Sequence, residues 1–283
     1  MKQVIILLTG ICMSLTSLAQ SDTTAPSQND TIRVGGMIII KKRGHNKDND
    51  ENKNNDEAKT YSRKNSSKSS RVSTNWFIID LGFANYNDKT DYKSAAIQDP
   101  TNGFAPGLSK DDFKLRMGKS VNVNLWFFMQ RLGIVKNVVN LKYGLGLELN
   151  NYRYKEPIRF HTGPTQVVFD NSTKYEKNKL AADYITVPLM LNFNLTPHRK
   201  RGFGFSAGVS GGYLYSSRQK TITEAEGKEK ERDDFDLRPW KLSYIGELSL
   251  GPVKLYGSYA SQSIFEKGLD QQPYNLGLRL SNW

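Results

Sequence analysis

From residue 76 to the C-terminus the chain repeats one pattern eight times, an apolar side chain at every second position. The last run is the clearest. Tyr274, Leu276, Leu278 and Leu280 fall on one side of an extended strand that leads to Trp283, and Asn275, Gly277 and Arg279 fall on the other. The first run, 76–86, sets Phe77, Ile79, Leu81 and Phe83 against Ile78, Asp80, Gly82 and Ala84. In the second, Val121, Val123, Leu125, Phe127 and Met129 oppose Asn122, Asn124, Trp126, Phe128 and Gln130. The third opposes Val139, Leu141, Tyr143, Leu145, Leu147 and Leu149 to Asn140, Lys142, Gly144, Gly146, Glu148 and Asn150. In the fourth the odd positions 185–195 are apolar, and Tyr184, Thr186, Pro188, Met190, Asn192 and Asn194 lie opposite. The fifth places Phe203, Phe205, Ala207, Val209, Tyr213 and Tyr215 outside and Gly204, Ser206, Gly208, Ser210 and Gly212 inside. Leu242, Tyr244, Leu248 and Leu250 oppose Ser243, Ile245, Glu247 and Ser249 in the sixth. Val253, Leu255, Gly257 and Tyr259 oppose Lys254, Tyr256, Ser258 and Ala260 in the seventh.

Two regularities select the class. No apolar-side position carries a charge, whereas Asp80, Lys142, Glu148, Glu247, Lys254 and Arg279 all lie on the other side. A lipid-facing Lys or Arg at mid-membrane would cost about 2–4 kcal/mol, so a bilayer demands this segregation. The connections also alternate. Residues 87–119, 154–182 and 219–238 are long and polar, while 131–138, 197–201 and Gly251-Pro252 are short. These features predict an all-β fold: an eight-stranded antiparallel transmembrane β-barrel over 75–283, with both termini periplasmic and the long loops extracellular. A soluble all-β barrel also alternates, but it does not require uncharged outer faces. Trp76, Tyr86, Tyr152, Tyr184, Tyr213, Tyr215, Tyr259, Tyr274 and Trp283 cluster toward strand ends, as an aromatic girdle would. Pro188 lies mid-strand without a donor and predicts a bulge.

The N-terminal part changes the picture. Met1-Lys2, an apolar run over 4–18 and Ser17-Leu18-Ala19 make residues 1–19 a secretory signal peptide cut before Gln20. Cys12 is the only cysteine and falls inside it, so the mature chain is expected to carry no disulfide, thiolate or lipid anchor. Residues 20–74 form a periplasmic tail. Within it, 31–42 could form one strand that docks on a periplasmic partner by strand addition, or remain plain linker. The stretch 44–70 is Asn, Lys, Asp, Glu and Ser with almost no hydrophobes, so the tail is expected to be largely disordered. A mean hydropathy of −0.58 alone suggests a soluble protein, but half of every barrel strand is polar. The net charge of +12 is spread over loops and turns. A nucleic-acid partner would be expected to gather it on one face, so contact with anionic lipid head groups or polymers is the better reading.

Three segments resemble a known family. They are Tyr184-Ile185-Thr186-Val187-Pro188-Leu189-Met190-Leu191-Asn192-Phe193, Gly208-Val209-Ser210-Gly211-Gly212-Tyr213-Leu214, and the terminal Tyr274 to Trp283. They resemble the PorT-like, OmpA-type outer-membrane β-barrels of Gram-negative envelopes, over about 75–283. The resemblance implies eight strands, makes Pro188 a family feature, and implies insertion by the barrel-assembly machinery. That machinery reads the last strand, here Tyr274, Leu276, Leu278, Leu280 and Trp283. Some members serve protein secretion, and no motif here carries that role over.

An eight-stranded barrel is filled by its side chains. Trp126, Phe128, Tyr184, Met190 and Tyr256 are the bulky candidates, and Gly144, Gly146, Gly204, Gly208 and Gly212 make room for them. Asp80, Glu148 and Glu247 are expected to pair with Lys142, Lys254 and Arg279, either as a plug or as a gated ion path. No catalytic set, cofactor motif or metal site emerges. His45, His161 and His198 lie away from any strand serine, Gly202-Phe203-Gly204 lacks a phosphate-loop context, and Asp111-Asp112 and Asp233-Asp234-Asp236 miss the calcium-loop spacing. The expected function is a non-enzymatic binding or structural role through the extracellular loops or the tail. The alternatives are a subunit of a secretion machine and a small-solute channel.

Overall fold

The computed structural model describes residues 71–281, apart from Thr173, His198, Lys200, Arg201 and Glu226, and the backbone of two short segments nearer the N-terminus. Those segments, β1 (Thr31–Val34) and β2 (Met37–Ile40), pair antiparallel, with Thr31 opposite Ile40 and Val34 opposite Met37. The single strand expected over 31–42 is therefore a hairpin. Its signal in the sequence is Gly35-Gly36 between two apolar runs. The cleavage site, Cys12, His45, the polar run 44–70, His198 and Trp283 lie outside the described residues.

The remaining strands are β3 (Val72–Asp88), β4 (Val121–Val135), β5 (Val139–Arg153), β6 (Ile158–His161), β7 (Gln166–Phe169), β8 (Tyr175–Asn194), β9 (Phe203–Thr223), β10 (Gly227–Glu231), β11 (Trp240–Leu250), β12 (Val253–Ala260) and β13 (Gln271–Leu280). Eight of them close a ring in the order β3-β4-β5-β8-β9-β11-β12-β13. Every pairing is antiparallel, and β13 returns to β3 with Leu280 opposite Ile79 and Gln271 opposite Asp88. Closure leaves no strand edge, which is what a backbone in hydrocarbon needs. Large apolar side chains stand exposed all round the ring, among them Leu81, Leu189, Phe205, Leu242, Leu255's neighbour Val253 and Leu278. Water does not tolerate an apolar belt of that extent, whereas a bilayer core of about 25 Å does.

The alternation departs from the sequence pattern at one level. Trp76 pairs with Phe128 and Ile78 with Trp126, so Phe77 and Phe127 are both skipped. Phe77 has φ 54°. Each strand thereby gains one residue, and both flip together. Met129, expected outside, is fully buried and pairs with Gly144, while Phe128, expected inside, pairs with Leu145 and packs its ring 5.9 Å from that of Trp76. A run of alternating aromatics cannot reveal such a bulge, because either parity places an aromatic in lipid.

Pro188 makes no bulge. Its ladder to β9 continues through Ser210. On the β5 side the pairing lapses between Leu189 and Thr186 and resumes in the same register. The proline simply leaves one donor position blank. A shift does occur higher up, between Asp183 and Tyr184.

Strand lengths also differ from expectation. The turn after β4 is only Lys136-Asn137-Val138, with Lys136 and Asn137 at positive φ, rather than 131–138. β8 begins at Tyr175 and β9 runs to Thr223, so much of the expected loops 154–182 and 219–238 is strand. This extension persists beyond the belt because its inner face is covered. Gln219 donates to the Ile158 carbonyl at 2.9 Å and accepts from the Phe160 N–H at 3.0 Å. Of the expected girdle, Trp76, Tyr213, Tyr215, Tyr259 and Tyr274 are exposed, whereas Tyr152 and Tyr184 are buried inside. They share the parity of inward Asn150 and Glu148, so they cannot face lipid.

The paired bulge predicts opposite environments for two neighbours. In a Cys12→Ser background, a fluorophore on Phe128→Cys is expected to be quenched by brominated lipid and one on Met129→Cys is not. Unbroken alternation would give the reverse.

Candidate functional site

The lumen holds a connected set of charges. Arg279 of β13 grips Asp80 of β3 with two bonds of 2.7 Å, from Nε and Nη2. Register sets this pair directly across the closing seam. Asp80 also accepts from Trp126 Nε1 at 2.7 Å and Asn124 Nδ2 at 3.2 Å. Arg279 reaches Glu247 of β11, and Glu247 in turn holds Lys142 of β5. A second cluster centres on Glu148, which pairs with Lys241 and accepts from Asn150 and Asn275 at 3.1 Å each. Buried ions persist only where partners surround them, and these do.

Five of the six expected charges, all but Lys254, therefore sit in these two clusters. Lys254 lies at the turn end and donates to Ser281. Glu148 pairs instead with Lys241, which the sequence pattern left out. The signal was there, because Lys241 has the parity of Ser243 and follows the outward Trp240. Asp183, also left out, sits at the top of the belt paired to Arg218.

Bulky side chains fill what the charges leave. Trp126 lies over Gly146, where a Cβ would come within 2.7 Å of its ring. Tyr256 covers the paired Gly82 and Gly277 in the same way. A cavity at mid-barrel, among Trp126, Met190, Glu247 and Arg279, is about 30 Å³, room for no more than a few waters.

Above the lumen the long connections are not solvated arcs. They fold into a cap around a second hydrophobic core. Phe104, Ala105, Leu108 and Phe113 come from the first connection, Ile158, Phe160 and Val167 from the second, Phe235 and Leu237 from the third, and Ile264, Phe265 and Leu269 from the fourth. Phe160 stacks on Phe265 at 6.1 Å and meets Phe235 edge-on at 5.9 Å. Backbone bonds tie the connections together, with Val167 N–H on the Phe104 carbonyl at 2.7 Å and Arg238 N–H on the Ile264 carbonyl at 2.7 Å. A short helix, α1 (Ala95–Gln98), buries Ile97 in the same core. Burial and the Asp88 carboxylate push the Tyr92 phenol well above its ordinary value, so it stays a donor to Asp88, at 2.7 Å. The sequence missed this core because its members are scattered singly among polar residues, without a period.

Two open clefts mark the cap. One, of about 390 Å³, lies between the β6–β7 hairpin and β9–β10, lined by Arg159, His161, Gln219, Thr221, Glu229, Lys230 and Glu231. The other, of about 430 Å³, is bordered by Asn87, Asp88, Lys110, Asp111, Lys114 and Lys155. The loop carboxylates weighed for calcium are engaged locally. Asp111 pairs with Lys114, Asp112 accepts from Ser109 N–H at 2.7 Å, and Asp233 and Asp234 accept from turn N–H groups. Of the expected assembly residues, Tyr274, Leu276, Leu278 and Leu280 face outward.

Removing one partner of the seam pair is expected to cost about 3–5 kcal/mol, as buried charges do when orphaned. Asp80→Leu and Arg279→Leu should each reach that range in denaturant unfolding, and the double variant should lose clearly less than their sum. Phe160→Ala should loosen the cap alone: new protease cuts in the loops, with the heat-modifiable gel shift of the barrel unchanged.

No curated protein matches the chain. Residues 81–260, well over half of it, match the family model described as outer membrane protein beta-barrel domain. With its closed eight-strand ring and apolar belt, the chain belongs to that family and is an integral outer-membrane barrel protein.

Proposed function

We propose that this barrel is a non-enzymatic binding protein whose working surface is its folded extracellular cap. One observation carries the reading. The loops are organised around their own hydrophobic core and present fixed clefts, while the lumen beneath them is filled. A pre-formed surface binds without the entropic cost of ordering mobile loops. The filled mid-barrel, with a cavity of only about 30 Å³ among Trp126, Met190, Glu247 and Arg279, speaks against a small-solute channel. Within the family, the Val187-Pro188-Leu189 strand and the terminal strand support a place among PorT-like, OmpA-type barrels of a Gram-negative envelope. On this reading the signal peptide is removed, both termini are periplasmic, and the outward Tyr274, Leu276, Leu278 and Leu280 serve recognition by the barrel-assembly machinery. The β1–β2 hairpin supports a second contact, with a periplasmic partner of residues 31–42.

Affinity purification from native membranes tests the assignment. Trimming the second connection, residues 155–174, is expected to remove a co-purifying partner that survives deletion of residues 21–70. If only the tail deletion removes it, the periplasmic hairpin is the working part. Loss of export of other proteins in a deletion strain would instead favour a secretion subunit. Planar-bilayer recordings of the intact protein are expected to show no stable conductance.

A further inference from the structure

The extension of β8 and β9 beyond the belt, with β10 and the end of β5 beside it, carries a row of cations. Arg153 pairs across the ladder with Lys179, Lys179 with Lys220, and Lys220 with Lys230. Four adjacent strands therefore place a positive charge at one level on one face. Lys177, Lys228 and Arg218 flank the row on the same face. The acids of β10 alternate with these lysines: Glu229 and Glu231 share the ladder face of Thr221 and Gln219, where Glu229 meets Arg159, and Lys230 also borders the cleft that they line.

Little within the protein neutralises this row. Arg218 is paired to Asp183. Among the described residues, no carboxylate bridges Arg153, Lys177, Lys179, Lys220, Lys228 or Lys230. Arg153 donates to the Glu176 carbonyl through Nη2, yet its Nε is buried without a partner. Burial first, and then the neighbouring Lys177, Arg218 and Lys220, pull the Lys179 amine down to about 8. Like charges directly opposite on neighbouring strands destabilise a sheet. Strands are about 4.8 Å apart, well inside the Debye length of about 8 Å at physiological salt.

Position identifies what balances the row. Arg153 stands four residues above the outward Leu149, and Lys179 six above the exposed Ile185, on the same strands. At about 3.3 Å per residue and a tilt near 40°, the row sits roughly 10–15 Å above the apolar belt. Exposed Tyr213, Tyr215 and Trp240 mark the boundary between them. That is the level of phosphorylated head groups whose acyl chains lie along the belt.

We propose that the outer face of β5, β8, β9 and β10 is a binding site for the phosphate groups of an outer-leaflet glycolipid, with Arg153, Lys179, Lys220 and Lys230 as its cationic row. A soluble polyanion would need the charges but not the belt beneath them.

Native mass spectrometry of the full detergent-solubilised chain tests this with three probes: diphosphoryl lipid A, the same lipid stripped of phosphate, and inorganic pyrophosphate. The wild-type chain should retain diphosphoryl lipid A far better than either other probe. The triple variant Lys179→Gln, Lys220→Gln, Lys230→Gln should lose on the order of a hundredfold in affinity, at about 1 kcal/mol per cation removed. The corresponding triple Arg variant should keep it. In lipid-free detergent the Gln variant should melt no lower than wild type, because repulsion is relieved, and lipid A should raise the melting point of wild type only. Equal binding of the dephosphorylated lipid overturns the site, and so does unchanged binding by the Gln variant. Pyrophosphate binding as tight as lipid A would make it a soluble-phosphate site instead. The probe comparison on wild type decides the matter even where a variant fails to fold.

Discussion

Each backbone donor and acceptor at belt depth must find its partner in the protein, because hydrocarbon offers none. The ring meets this by returning β13 to β3, and everything else depends on that return being in register. A slip by one residue would turn Arg279 into lipid and a leucine into the lumen. The Asp80–Arg279 pair opposes such a slip from inside, at the seam itself. Through Trp126, Glu247 and Lys142 the same cluster engages β4, β11 and β5. The lumen charges are therefore better understood as a clamp on closure than as a path for ions.

The molecule divides its apolar residues between two kinds of surface. Those of the belt meet lipid, and only those of the cap form a core in the usual sense. The small clusters inside the barrel, Ile78 and Trp126 with Met129 and Met190, are filler around polar contacts. This division places adaptable chemistry at the cap end of the barrel. There the clefts combine a rigid floor with charged rims, as in the Arg159–Glu229 pair at 3.1 Å beside His161.

How much of this was legible follows from what repeats. Strict alternation located eight strands and the inward charges, because lipid punishes every exception. Where lipid is indifferent, the pattern fails. Phe127 and Phe128 are both acceptable outside, so the paired bulge left no trace. Lys241 was legible but lay one residue beyond the run as drawn. The cap residues Phe104, Phe160, Phe235 and Phe265 were not legible, because their partners are supplied by distant connections and no local period marks them. Nor did the cationic row show as a run: Arg153, Lys179, Lys220 and Lys230 come together only once four strands are in register.

The cap core draws on all four long connections, and it joins Ala84 of β3 to Leu269 just before β13. Such a core joins segments far apart in the chain, and its loop-closure cost is met only when they come together. It cannot assemble until the first and last strands have met. The cap core is thus the last part of the fold that can close, and until it does Phe104, Phe160, Phe235 and Phe265 stay without the partners that bury them.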